Sequence, residues 1–193
     1  MQLVQDYRIR EVHGTHFSNA PFRFLLETVT DGFPKDAGEL VFDKETCERH
    51  GISPSLDLVN RKLRCTLRPR VLKRNTGGRK GDEWSFPDRQ DVQSDDILIS
   101  QIRRDEKWTP EYNVGAPHDA LRQEIHYHLY AYSDDGTDGI HPSPTNCPLY
   151  NLTVELTEDQ FRECTQFAPG TVLNVSFALL PPEPKPATEE EKQ

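Results

Sequence analysis

The chain has 193 residues, 34% of them hydrophobic, with a mean hydropathy of −0.76. It is long enough to bury a core without disulfides, but fifteen Pro, eleven Gly and a single Met argue for many short elements and against a helical bundle. The net charge is −9, and no apolar run approaches the ~20 residues that a membrane-spanning helix needs.

Met1 to Tyr7 lacks the basic and apolar stretches of a secretory signal, so the protein is expected to be cytoplasmic and free of membrane. The cysteines, Cys47, Cys65, Cys147 and Cys164, form no Cys-x-x-Cys pair and are expected to be reduced thiols. Residues 22–30 are a strand candidate, closed by Asp31-Gly32-Phe33-Pro34, and 39–42 a short second strand. Asp43 stands at an N-cap position before a two-turn helix over 44–50, which Gly51 stops.

Residues 61–80 carry nine basic residues and no acid: Arg61, Lys62, Arg64, Arg68, Arg70, Lys73, Arg74, Arg79 and Lys80. The flanks are acidic, with six basic against ten acidic residues before this segment and eight against 22 after it. Leu63, Cys65, Leu67, Pro69 and Val71 alternate with Lys62, Arg64, Thr66, Arg68 and Arg70, the pattern of a half-buried strand with a basic outer ladder. Pro69 lacks an N–H, which predicts an edge strand. A Gly-rich loop follows over 75–81, and Trp84 and Phe86 lie just beyond it.

Further strands are expected over 97–102, 124–132, 150–156 and 172–180, with loops over 111–119 and 141–148. Thr157 and Gln160 match a capping box that opens a second short helix carrying Phe161 and Cys164 on its apolar side. The tail 181–193, with its prolines and the run Glu189-Glu190-Glu191, is expected to be a disordered acidic segment after a single β-rich domain over 1–180. The fold class implied is mainly β, an antiparallel sandwich or partly open barrel with two short helices. Nothing suggests βαβ alternation, no Gly-rich phosphate loop follows a strand, and no cofactor is implied.

Several constellations bear on function. The segregated basic block suits docking on an acidic protein surface or on nucleic acid, with Trp84 as a stacking or packing platform. In the strand 124–132, Glu124, His126 and His128 share a face. Two His at that spacing is how cupin-type barrels present two metal ligands, with His118 or His141 to supply a third. The pattern departs from cupins where Leu129 to Tyr132 replaces the expected Glu. Pro87-Asp88 with Asp105-Glu106-Lys107 has the form of a restriction-type nuclease signature, interrupted by Arg103-Arg104. Asp134 to Gly139 reads as a turn, since Thr145 cannot serve as the bidentate calcium ligand. Cys47-x-x-His50 lacks a second half-site for zinc. The function this implies is a non-catalytic binding or assembly module, a subunit of a larger complex, docking through residues 61–80. A sequence-tolerant nucleic-acid binder is the alternative, and a metal-dependent enzyme the second alternative.

Overall fold

The computed structural model describes residues 1–14, 21–30, 33–70, 78–80, 83–85, 93, 95–110, 121–133, 148–167 and 171–182. Its strands in chain order are β1 (Leu3–His13), β2 (Phe22–Thr30), β3 (Phe33–Phe42), β4 (Lys62–Pro69), β5 (Gly78–Lys80), β6 (Glu83–Ser85), β7 (Asp96–Pro110), β8 (Leu121–Tyr132), β9 (Leu149–Leu156) and β10 (Val172–Leu179). Two short helices accompany them, α1 (Lys44–Arg49) and α2 (Glu158–Cys164), with a one-turn 3₁₀ helix at Leu56–Leu58. Eight strands close into an antiparallel barrel in the order β1-β2-β3-β9-β8-β7-β10-β4, and β4 returns to β1. β5 and β6 form a separate two-stranded ribbon.

Alternation decides which side chains fill the barrel. Leu63, Cys65 and Leu67 of β4 point inward, as do Tyr150, Leu152 and Val154 of β9 and Leu173, Val175 and Phe177 of β10. An eight-stranded barrel has an interior just wide enough for side chains to fill. Here aromatic rings take the central space. Phe42 lies 5.7 Å from Phe24, 5.5 Å from Tyr150 and 5.8 Å from Phe177, ring centre to ring centre. α1 is capped as its sequence predicts, with the Asp43 carboxylate accepting from the Thr46 N–H, and it buries Cys47. α2 carries the complete capping box of Thr157 and Gln160, and lays Phe161 on Tyr127 at 4.7 Å.

Several expectations need correction. β4 is not an edge strand: it pairs with β1 from Lys62 to Leu67 and with β10 from Leu63 to Pro69. Pro69 is tolerated because it is the last residue of the strand, where its missing N–H interrupts no interior ladder. The N-terminus forms an eleven-residue strand that was not anticipated. β7 runs to Pro110, well past Ile102.

That last difference shapes the surface. β7 and β8 pair continuously from Leu98 and Tyr132 to Pro110 and Leu121. Their outer neighbours stop early, since β10 pairs only with Asp96, Ile97 and Leu98, and β9 only with Tyr127 to Tyr132. The distal half of the hairpin therefore extends as a two-stranded arm.

The β2–β3 pair shifts register between Leu26 and Glu27, opposite Gly38. Gly38 has φ +125°, and a Cβ there would lie 1.9 Å from the Asn151 carbonyl oxygen of β9. Only glycine permits this close passage of β3 along β9. Gly38→Ala is expected to cost more than about 2 kcal/mol through strain and separation of the two strands. A urea midpoint equal to that of wild type would show that the crossing is not tight.

Candidate functional site

The outer surface of β4 carries the basic ladder, and its register determines what each cation meets. Arg64 lies opposite Asp6 of β1 and donates to both carboxylate oxygens, at 2.7 and 2.8 Å. That double hydrogen bond holds the Asp6 carboxyl below its ordinary range. Arg68 donates to the neutral amide oxygen of Gln2 at 3.2 Å. Arg61 donates to the Leu180 carbonyl at 2.7 Å. Lys62 is exposed on the outer face and also engaged.

Arg70, at the exit of β4, meets Asp96 at 2.5 Å. The Asp96 side chain is completely buried, and also accepts from the Gln93 N–H at 2.8 Å and from Asn174 at 3.3 Å. The same wall continues in kind, with Arg8 on Glu27, Arg10 on Asp36 and Arg23 on Glu39. Cations and acids are thus interleaved on this wall, each exposed pair contributing about 0–1 kcal/mol.

Beyond Arg70, Lys73 and Arg74 lie outside the described residues, as does Phe86. Arg79 and Lys80 are in β5, in register with Trp84 and Glu83 of β6. The basic segment therefore leaves the barrel wall and returns in a ribbon that is not part of the barrel sheet.

His126 and His128 sit side by side on β8, their ring centres 6.3 Å apart. His128 Nδ1 lies 3.2 Å from Asp105, and His126 Nε2 lies 3.7 Å from Glu124. Asp105 is also held by Arg103 at 2.5 Å. No group of three or more metal-binding side chains converges among the described residues. The other proposed ligands, His118 and His141, lie outside them, as do Asp88, the 134–139 turn, Cys147 and the tail from 183 onward. Asp105 and Lys107 share one face of the arm, in register with His126 and Glu124.

One constellation was not anticipated. At one end of the barrel, His50, Tyr150, Asp95 and Arg49 form a polar chain. The Tyr150 hydroxyl donates to Asp95 at 2.9 Å and lies 3.3 Å from His50 Nε2. Arg49 donates to both oxygens of Asp95, at 3.0 and 2.9 Å. His50 stacks on Phe42 and meets Phe177 edge-on. Burial among these rings pulls the imidazole below its usual range, against the opposing pull of Asp95 and together with the nearby Arg49 charge. Burial likewise pushes the Tyr150 phenol far up, and Asp95 adds to the effect. A neutral imidazole and a firmly protonated phenol make a fixed hydrogen-bond chain that ties α1 and Asp95 to β9.

Two consequences can be measured. His50 has a lower proton affinity folded than unfolded, where its ordinary value is 6.5. Its contribution to stability is complete above that value and is lost as pH falls below it, because the unfolded chain then binds the proton first. Denaturation midpoints between about pH 7.5 and 5 are expected to decline. His50→Phe, which keeps the ring packing, is expected to flatten that part of the curve; an unchanged slope would assign it to other groups. Separately, Asp96→Ala should destabilise the fold by about 3 kcal/mol, since it leaves Arg70 and Asn174 without their shared acceptor. A midpoint shift below a quarter of that would make the pair incidental.

Compared with known proteins, the chain matches no family model, no curated protein and no solved structure.

Proposed function

We propose that this protein is a non-catalytic binding or assembly module, a subunit of a larger complex, which docks on an acidic partner through residues 61–80. The observation that carries this reading is the contrast along the basic segment. On the barrel wall Arg64 and Arg70 are matched by Asp6 and Asp96. Past Arg70 the chain adds Lys73, Arg74, Arg79 and Lys80 with no acid before Asp82. The docking charge is therefore weighted toward the distal part of the segment and its ribbon, where Arg79 and Trp84 are in register. The barrel interior is occupied by its own aromatic and aliphatic side chains, which favours recognition on the outside.

The reading takes the protein to be cytoplasmic. It fits this reading that Cys47, Cys65 and Cys164 are buried free thiols. No helix among the described residues is long and apolar enough to cross a membrane.

The test is binding of poly-glutamate, and of short single- and double-stranded DNA and RNA, at low and moderate salt. Changing Lys73, Arg74, Arg79 and Lys80 together to Ser is expected to weaken poly-glutamate binding about tenfold or more, while Arg23→Ser leaves it unchanged. Tight nucleic-acid binding that falls steeply with salt would move the protein to the nucleic-acid class. Failure to bind any of these polyanions at low salt would sink the reading.

A further inference from the structure

The β7–β8 arm is unlike the rest of the sheet. Its two faces follow from the register. Arg104, Glu106 and Trp108 share one face with Tyr127, Ile125, Gln123 and Leu121, and that face continues the barrel interior outward through Ile102 and Leu129. On this face Trp108 is 58% exposed, Leu121 57% and Ile125 39%. These are three of the six large apolar side chains exposed among the described residues. The opposite face carries Arg103, Asp105, Lys107, Arg122, Glu124, His126 and His128.

The backbone is as incomplete as the side chains. β9 pairs with β8 only from Tyr127 onward, so among the described residues the outer edge of Leu121 to His126 meets no third strand. An edge of this kind is a template for another strand, and an apolar face beside it raises the gain from pairing.

We propose that the arm is a self-association element, in which two copies of the chain pair antiparallel along the free edge of β8 about a twofold axis at Gln123. The edge sequence Leu121-Arg122-Gln123-Glu124-Ile125 is complementary to itself in this register. Arg122 faces Glu124 of the second copy, Leu121 faces Ile125, and the neutral Gln123 faces itself. The twofold axis makes each of the first two contacts twice. Arg122 already has a partner within its own chain, so the contact across copies extends or exchanges that pairing.

Several other registers that keep the apolar face on one side set like charges together. Centring on Glu124 sets that acid against itself and Arg122 against His126. On β7, centring on Glu106, Asp105, Arg104 or Lys107 sets like charges together on the axis. The five residues used fit within the six open positions before β9 begins. The product is a four-stranded sheet, β7-β8-β8-β7, with Trp108, Ile125 and Leu121 of both copies on one side. An interface of this size lies at the weak end of specific contacts.

Sedimentation equilibrium over about 5–500 μM tests the proposal on the whole chain. Wild type is expected to rise from 22.2 kDa toward twice that mass. Glu124→Arg and Arg122→Glu, each placing like charges opposite one another twice, should associate about tenfold more weakly or not at all. An equimolar mixture of these two variants should recover the dimer, because each then faces its complement. That recovery also shows both variants to be folded. A wild type that stays monomeric throughout would overturn the proposal and leave the edge to a strand of a different protein. So would single variants that dimerise like wild type, or a mixture no better than its components.

Discussion

The closure of the barrel through β4 is the constraint on which the rest of the structure depends. β4 sits between the first and last strands of the chain and pairs with both, so it converts what would be an open sheet into a ring. Closure settles which face of every strand is inside. It sends Leu63, Cys65 and Leu67 into the core and leaves Lys62, Arg64 and Arg68 on the outside. It also brings β1 alongside, so that Asp6 lies directly across from Arg64. The same pairing that makes the fold thus neutralises part of its most conspicuous charge cluster. A basic ladder on an edge strand would have had solvent on one side; in the interior of a closed sheet it has acids within reach.

A closed barrel also limits where buried polar groups can be tolerated. Asp96 is buried at the start of β7, but accepts from a guanidinium, an amide and a backbone N–H. Tyr150 buries its ring in the aromatic centre while its hydroxyl reaches Asp95 at the barrel end. These groups are satisfied because they stand at the ends of strands, where loops and helices can bring partners. The middle of the barrel is left mainly to apolar side chains, with a Tyr7 hydroxyl that donates to the Thr153 carbonyl across the interior and a Gln5 amide oxygen that accepts from the Glu155 N–H. Such a division is what the cost of an unpaired polar group in a low-dielectric interior demands.

Much of this architecture was legible in the sequence where one face of a strand is wholly apolar. β9 alternates from Tyr150 and β10 from Leu173, and both match their expected bounds within a residue. The helix caps were legible because Asp43 and Thr157 are chemically suited to the role. β1 was not, because Gln5 interrupts the inward series of Leu3, Tyr7 and Ile9. β3 is longer than anticipated because Pro34 and Gly38, ordinarily strand breakers, sit at the strand start and at a register shift. β7 was cut short at Ile102 because the arm beyond it has no core to bury, and therefore no apolar alternation to read. The polar chain was invisible for a different reason: Arg49 and His50, Asp95 and Tyr150 are far apart in sequence, and each is an unremarkable residue until the barrel assembles them.

The arm follows from the same geometry. Within a ring of antiparallel strands every interior edge is consumed, and strand-to-strand recognition has nowhere to act. Such recognition becomes available only where two strands outlast their neighbours, as β7 and β8 do past Leu98 and before Tyr127. Lengthening one hairpin costs the barrel nothing, since the core is already closed below it. Yet an isolated two-stranded ribbon is marginal in water. This one is braced by cross-strand contacts, with Gln123 on Glu106 and His128 on Asp105. Trp108 and Ile125 nevertheless stay in solvent, where a ribbon serving only as a connection would gain by carrying polar residues. Apolar side chains on an arm with an open edge make sense physically when something else completes the sheet.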